Sequence, residues 1–270
     1  MKMIASAKLH RASAAVVAAL PYAEKMNALL RSFLRTEEEV SSPFLRSGEV
    51  RKVAILIFSS NSSLCGAFNS NVYKQLKHLA KSKYATLPKE QIHVYAFGKK
   101  IAQMAQKDGF NIVANYEELA EKPDYEQVAQ IAQQLMLLFQ HKEIDAVELI
   151  YHHFKSTASQ TLLQKSLLPL NLEIIEANTQ SSTVTHQPNH IIEPSHAEIL
   201  ATLLPKVIIL DLYTALLDSI ASEHAARMLA MQIATDNAED LLQELHLQYN
   251  KSRQQTITAE LLDIIGGSVR

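Results

Sequence analysis

The sequence predicts an α/β protein in which a mostly parallel, Rossmann-like sheet domain carries a long antiparallel coiled coil built from both ends of the chain. A helical pattern fills the first 38 residues, strands and helices alternate through the middle, and a second helical pattern runs from His196 to Ile265. We therefore expect a coiled-coil shaft from residues 1–45 and 195–270, and an α/β foot domain from residues 50–194.

Composition indicates a globular chain with a sizeable core. The chain has 270 residues, of which 47% are hydrophobic and 20% charged. Its 26 basic and 28 acidic side chains leave a net charge of −2, which argues against nucleic-acid binding through bulk positive charge. The single cysteine, Cys65, excludes an intrachain disulfide or a four-cysteine zinc site. No apolar run has the length of a signal peptide or membrane span, so we expect neither.

The first helix is predicted from apolar residues at steps of three and four. Pro21 is expected to kink this helix, and a Ser41-Ser42-Pro43 stretch followed by Gly48 marks a domain boundary. The apolar positions are Val16, Val17, Leu20, Ala23, Met26, Leu29, Leu30, Phe33 and Leu34.

The middle of the chain alternates between strand and helix patterns, which favours a mostly parallel sheet with helices on both faces. The first strand is a continuous apolar run, as expected for a strand buried on both faces. The last two strands are separated by a short turn and predict a hairpin. Residues 179–194 are predicted to form a loop or a weak edge strand. The predicted strands are 52–58, 91–97, 110–114, 144–154 and 160–170, and the predicted helices are 69–84, 99–107 and 124–139.

The C-terminal helix is too long to fit inside a compact domain. Residues 206–265 would span about 90 Å as helix, whereas a globule of this chain length measures roughly 50 Å across. The helix is therefore expected to protrude and to end at Gly266-Gly267. Its apolar stripe has coiled-coil spacing and consists of Leu217, Ile220, His224, Met228, Met231, Thr235, Ala238, Leu242, Leu245 and Tyr249.

The first helix is the expected partner of this stripe. Residues 1–35 hold six basic residues and one acidic residue, a balance of +5, whereas residues 196–270 hold five basic and ten acidic residues, a balance of −5. Opposite charges suit an antiparallel pair. Both helices could instead pack on the sheet as ordinary surface helices, but the length of the last helix argues against this alternative. About 35 residues cannot cover 60, so part of the stripe should be buried by another molecule.

The sequence contains no complete motif for catalysis or cofactor binding. Gly98-Lys99-Lys100 lacks the remainder of a phosphate-loop motif. The polar turn from Ser59 to Asn69 could hold an anion, but Ser and Asn at a helix entrance more often cap the helix. Cys65 is interpreted as a packed thiol, and His224 as a polar residue that sets coiled-coil register. We predict no catalytic residue, no metal ligand and no cofactor.

His152 and His153 are adjacent on a predicted strand, so their side chains should point to opposite faces of the sheet. Two residues placed in this way cannot easily share a metal ion. We therefore interpret both as solvated or hydrogen-bonded imidazoles.

The two ends of the chain resemble the gamma subunit of rotary ATP synthases. The resemblance covers nearly the whole chain and is most specific in the C-terminal helix. The similar C-terminal segments are Ser222-Glu223-His224-Ala225-Ala226-Arg227-Met228, Ala234-Thr235-Asp236-Asn237-Ala238, Tyr249-Asn250-Lys251-Ser252-Arg253-Gln254, Ile257-Thr258, Glu260-Leu261 and Ile265-Gly266-Gly267. The similar N-terminal segments are residues 1–9, Pro21-Tyr22-Ala23-Glu24-Lys25, Leu64-Cys65-Gly66 and Phe68-Asn69-Ser70-Asn71.

The resemblance implies a non-catalytic rotor shaft on the axis of a hexamer of alpha and beta subunits. The foot would lie beside the epsilon subunit and the membrane c-ring, and contact with the membrane would be made only through other subunits. Turning of an asymmetric shaft would press differently on three catalytic sites. The resemblance also implies a peripheral location at the cytoplasmic face of a bacterial inner membrane.

The family pattern places five residues at the interface with the hexamer: Met1, Arg227, Gln254, Thr258 and Glu260. Arg227 has the donors to engage a carboxylate loop on beta, although a solvated helix charge is the alternative. Two features depart from the pattern. The first helix starts several turns late, which implies a single-helical tip unless the natural start lies upstream, and Asn61 and Ser63 replace the family's Asp and Gly.

Two other classes of function stay open at this point. A doubly wound domain with helical extensions would bind a nucleotide or another anion at the Ser59 to Asn69 turn. A coiled-coil scaffold unrelated to energy coupling would dimerise through the stripe from Leu217 to Tyr249.

Overall fold

The computed structural model of the chain describes residues 2–34, 42–46, 48–170, 193 and 195–268. It contains a five-stranded sheet flanked by helices, and one long helix from each end of the chain. Short 3-10 helices lie at Pro43–Leu45 and Lys89–Gln91. In chain order the elements are α1 (Lys2–Leu34), β1 (Val53–Phe58), α2 (Phe68–Ser82), β2 (Ile92–Phe97), α3 (Lys99–Lys107), β3 (Asn111–Asn115), α4 (Glu117–Glu121), α5 (Tyr125–Gln140), β4 (Ala146–Phe154), β5 (Gln160–Leu168) and α6 (His196–Ser268).

The sheet is mostly parallel, with strand order β3-β2-β1-β4-β5. Strand β1 pairs in parallel with β2 and β4, β2 pairs in parallel with β3, and β5 forms an antiparallel hairpin with β4. Every residue of β1 is buried. The predicted fold class, the hairpin and the doubly covered first strand are therefore confirmed.

Alternate residues of β1 point into two separate hydrophobic layers. Val53, Ile55 and Ile57 pack with α2 and α3 on one face of the sheet. On the other face, the layer is formed by α5 together with parts of both long helices. The helices α1 and α6 thus pair with each other and also pack on the sheet. The expectation from helix length that they would not pack on the sheet was therefore wrong, because the first part of α6 covers the sheet while the rest protrudes. Their buried residues in this layer include Ala23, Met26, Leu30, Phe33, Leu200, Leu204, Ile208, Leu212, Leu216 and Ile220.

The two long helices run antiparallel, as predicted. Near the sheet, Asn27 of α1 donates a hydrogen bond to Asp211 of α6 at 3.5 Å. Further along, Val16 packs with Leu217 and Ala221, so α6 numbers rise as α1 numbers fall. This pairing covers only the first part of α6.

Helix α6 continues far beyond its partner. Its 73 residues correspond to about 110 Å of helix. Every residue from 233 to 267 is exposed, a length of about 50 Å that we call the free segment. No other part of the described chain covers its apolar stripe, as the sequence predicted. The large exposed apolar residues of the free segment are Ile233, Leu241, Leu242, Leu245, Leu247, Tyr249, Ile257, Leu261, Leu262, Ile264 and Ile265.

Several local expectations differ from the structure. Helix α6 extends through both Gly266 and Gly267 to Ser268, so the predicted end of the helix at these glycines was wrong. The difference is small, because the assigned ends of helices commonly shift by one or two residues. Val17 was placed on the apolar face of α1 but is exposed, because its neighbour Val16 lies on the buried face about 100° away. The short helix α4 was missed. The predicted end of the first helix near residue 38, and residues 179–194 except Glu193, lie outside the described residues.

Two helices contain stretches that are long and apolar enough to cross a membrane, judged by length and composition alone. They are Lys2–Phe33 and Ala197–Gly267. From the sequence we expected no such stretch. In the second helix, 61% of the apolar window is buried in the protein, because this part of α6 packs on the sheet, and a core helix passes the same test.

Candidate functional site

The turn between β1 and α2 lies at the carboxyl end of the sheet, where doubly wound folds place ligands. Its polar groups bind each other. The Ser60 amide donates to the Asn69 side-chain oxygen at 3.0 Å, and the Asn69 side-chain amide donates to Ser60 Oγ at 2.7 Å. Cys65 is buried, with its sulfur 3.2 Å from the same amide nitrogen. The interpretation of Cys65 as a packed thiol is confirmed.

The same turn caps helix α3 rather than α2. The Lys99 amide donates to Asn61 Oδ1 at 3.0 Å, and the Ile101 amide donates to Ser59 Oγ at 3.2 Å. These are donors at a helix N-terminus, which an anion would otherwise use. The structure therefore favours capping over anion binding.

Gly98 allows this capping arrangement. Its φ is +112°, and a Cβ at this position would lie 2.4 Å from the Ser59 carbonyl oxygen. The glycine before Lys99-Lys100 therefore permits close approach of two backbones, and its role differs from that of a phosphate-loop glycine.

Arg227 joins helix α6 to this turn. One guanidinium nitrogen donates to Glu223 at 2.7 Å, and the other donates to Ser62 Oγ at 2.9 Å. The side chain is only 16% exposed, so Arg227 is not the solvated helix charge considered from sequence. Burial raises the pKa of Glu223, and the nearby Arg227 opposes that rise.

We expect Arg227→Ala to lower the free energy of unfolding by about 2 kcal/mol, because it leaves the buried Glu223 carboxylate without its partner. Arg253→Ala is the matched control, since Arg253 is exposed in the free segment. Urea unfolding of both variants measures the difference. Equal stability of the two variants would contradict a structural role for the Arg227 contacts.

The other interface residues predicted from sequence lie on the free segment. Gln254 and Thr258 share one face, since four residues rotate the helix by about 40°, and Thr258 Oγ1 donates to the Gln254 carbonyl at 2.8 Å. Glu260 points about 160° away from Thr258. Arg227 lies about 40 Å below Gln254 along the axis, so the structure gathers no single compact site. Met1 lies outside the described residues.

Comparisons with known proteins agree on one family. The family model described as ATP synthase matches residues 1–269. The ATP synthase gamma chain of Bacteroides fragilis is 51% identical over all of this chain and 92% of its own length. The chain belongs to the ATP synthase gamma chain family. The gamma chain of Phocaeicola vulgatus is 48% identical over 100% of this chain and 92% of its own length. That of Flavobacterium psychrophilum is 40% identical over 99% of this chain and 90% of its own length.

Solved structures support the fold. The central stalk of Tetrahymena thermophila mitochondrial ATP synthase aligns with a TM-score of 0.60 at 23% identity, covering 87% of this chain and 97% of that chain. A chain of Euglena gracilis mitochondrial ATP synthase aligns with a TM-score of 0.59 at 19% identity, covering 99% of this chain and 93% of that chain.

The predicted family, and the prediction of a subunit rather than an enzyme by itself, are confirmed by the family membership. The complex to which such chains belong is membrane-associated.

Sequence reasoning missed a polar junction between β4 and α6. His153 Nδ1 lies 2.6 Å from Asp218 Oδ2, and Ser222 Oγ donates to the His152 carbonyl at 3.0 Å. Burial raises the pKa of Asp218, and His153 opposes that rise. Asp218 lies in an apolar stretch of the sequence, which was the available signal of a buried polar contact. Its partner His153 lies 65 residues away, so the sequence did not indicate the pairing.

The two adjacent histidines point to opposite faces of the sheet, as predicted. His153 faces α6, whereas His152 is buried and stacks on Phe68 of α2 at 4.4 Å between ring centroids. Within the described ranges, no group of three or more His, Cys, Asp or Glu residues is arranged to hold a metal ion.

His152 should make the stability of the fold depend on pH. Burial lowers the pKa of His152 from 6.5 to about 4. At pH 5 the unfolded chain binds a proton at this residue and the folded chain does not, so stability falls as pH falls from about 6.5 towards 4. We expect a loss of about 2 kcal/mol from this residue between pH 7 and 5.

Urea unfolding of the wild type and His152→Phe at both pH values measures this effect. The variant should lose less stability on acidification by that amount. The comparison also cancels the contribution of His224, whose pKa burial likewise lowers, and the opposite contributions of Asp218 and Glu223. An equal loss in both proteins would contradict the prediction.

Proposed function

We propose that this chain is the non-catalytic rotor, or central-stalk, subunit of ATP synthase. It couples ion-driven rotation of the membrane ring to conformational change in the alpha/beta hexamer, and thereby to ATP synthesis and hydrolysis. The free segment carries this proposal. A bare helix of about 50 Å with an apolar stripe is costly to leave in water, so it is expected to be enclosed by other subunits.

The shaft acts by differential contact. A ligand or partner shifts a conformational equilibrium only by interacting differently with the alternative states. Gln254 and Thr258 lie on one side of the free segment and Glu260 on another, so one orientation of the shaft presents different chemistry to each surrounding subunit. Rotation then changes which face of the free segment each subunit contacts. The synthesis and hydrolysis of ATP take place in the beta subunits.

We assign the interface with the alpha/beta hexamer to Met1, Arg227, Gln254, Thr258 and Glu260. The Arg227 guanidinium has five N–H donors and makes three hydrogen bonds within the chain, to Glu223, His224 and Ser62, which leaves Nε and one hydrogen of Nη2. These two donors are the ones available to a carboxylate of beta.

The shaft would comprise residues 1–45 and 195–270, and residues 50–194 would form the foot. The foot would lie beside the epsilon subunit and the c-ring, and the membrane would be contacted only through other subunits. Bacterial relatives support a peripheral location at the cytoplasmic face of the inner membrane.

Reconstitution tests the proposed function. The full chain is mixed with alpha and beta subunits from the same source, and the complex is isolated and assayed for MgATP hydrolysis. We expect one copy per hexamer and faster hydrolysis than alpha and beta alone. Absence of the chain from the complex, or its entry without acceleration, would overturn the proposal.

A further inference from the structure

A cleft lies at the amino-terminal edge of the sheet, at the end opposite the β1–α2 turn. It is formed by the end of α2, the segment leading into β2, and the turn between α3 and β3. Its volume is about 430 Å³, within the range of small-molecule clefts. The floor is apolar and includes Leu87, Ile92 and Phe110, of which the last two are buried. The floor can therefore remove an apolar body from water.

The rim of the cleft is basic. Lys77 and Lys81 are four residues apart on α2 and share a face, and Lys89 lies across the opening. Asp108 is the only acidic residue among the lining groups. Three ammonium groups against one carboxylate leave two net positive charges beside an apolar floor.

Asp108 already engages two of these lysines. Its carboxylate lies 2.5 Å from Lys77 Nζ, and its backbone carbonyl accepts a hydrogen bond from Lys89 Nζ at 2.7 Å. Lys81 has no ion pair within the described ranges. Because the Asp108 carboxylate pairs with Lys77, the two positive charges that it leaves unbalanced are those of Lys81 and Lys89.

We propose that this cleft binds an anionic amphiphile, a molecule with an apolar body and one phosphate, sulfate or carboxylate head. The head contacts Lys81 and Lys89, and the body lies on Leu87, Ile92 and Phe110. A membrane phospholipid and a free anion offer the same head chemistry. The site uses no residue of α6, so it is independent of the proposed rotor function.

Substitution of Asp108 provides a test in which the expected result is tighter binding of the ligand. Hydrogen bonding to Lys77 lowers the pKa of Asp108, so this carboxylate is ionised at neutral pH and repels an anion. Asp108→Asn removes that repulsion and releases Lys77 to the ligand. Because a damaged fold would weaken binding, tighter binding by this variant would be specific to the proposed electrostatics.

The experiment measures octyl phosphate binding to the full chain by calorimetry at pH 7.5 and low salt. Lys81→Gln and Lys89→Gln should each weaken binding about fivefold, and Asp108→Asn should tighten it by a similar factor. Ala85→Glu, which places a carboxylate at the exposed edge of the floor, should abolish binding. The matched control is Lys74→Gln, on the exposed surface of α2 and outside the cleft, which should bind like the wild type.

Vesicles distinguish the two sources of ligand. Co-sedimentation with vesicles of phosphatidylcholine and phosphatidylglycerol, but not of phosphatidylcholine alone, and its loss in Lys81→Gln, would support the proposal with a lipid as ligand. Binding of octyl phosphate without co-sedimentation would support it with a free anionic amphiphile that is not part of a membrane. No binding of octyl phosphate, an equal loss in Lys74→Gln, or weaker binding by Asp108→Asn would overturn it.

Discussion

Leu212→Ala is expected to lower the free energy of unfolding by about 3 kcal/mol. Leu212 is 0% exposed and lies in the layer where α6 covers the sheet. Truncation to alanine removes buried methyl groups and leaves a cavity that the sheet and α5 cannot fully close. The change therefore acts on the core that α6 shares with the α/β domain.

Leu245→Ala provides a matched control on the same helix. Leu245 is 50% exposed in the free segment, so the same chemical change should alter the unfolding free energy by less than about 0.5 kcal/mol. Urea unfolding at neutral pH measures both variants. Similar losses in the two would show that the free segment is packed in the isolated chain, contrary to the structure.

Ala238→Pro is expected to abolish the acceleration of ATP hydrolysis while leaving the unfolding of the α/β domain unchanged, because the helix stability that proline removes, about 3 kcal/mol, belongs to the exposed free segment. Proline removes a helical hydrogen bond and bends the helix. A kink of about 20° would displace the helix end, about 45 Å further on, by about 15 Å. Such a tip cannot follow the axis that the proposed hexamer encloses.

Ala238→Gln is the control, because glutamine keeps the helix straight at the same exposed position. Both variants are mixed with alpha and beta subunits, and MgATP hydrolysis is compared with that of the wild-type complex. Full acceleration by Ala238→Pro would refute transmission through a straight free segment. A lower stability of the α/β domain in Ala238→Pro would instead show that the free segment packs against that domain, contrary to the structure.

Most elements of the fold follow from local patterns in the sequence. The continuous apolar run of β1 predicts its burial on both faces, and the length of the C-terminal pattern predicts a helix that leaves the globule. The unpartnered stripe from Thr235 to Tyr249 follows from simple comparison with the shorter first helix. These features depend on periodicity and length, which are properties of the sequence itself.

The candidate site was only partly accessible from sequence. Gln254, Thr258 and Glu260 were identified by resemblance, and the structure adds that Glu260 projects away from the face that Gln254 and Thr258 share. The pairing of Arg227 with Ser62 joins residues 165 positions apart, and no spacing rule indicates it. The basic cleft was missed because Lys81 and Lys89 belong to separate elements whose proximity depends on the packing of α2 beside β2.

The sequence by itself determined the family, the order of the strands and of the α-helices other than α4, and the presence of a protruding helix without a full-length partner. The tertiary structure decided which helix the β1–α2 turn caps, where Arg227 binds, and how α1 and α6 divide their surfaces between each other and the sheet. Periodic burial is encoded locally, one element at a time. Contacts between distant elements depend on the orientation in which the packed elements meet, which no single segment specifies.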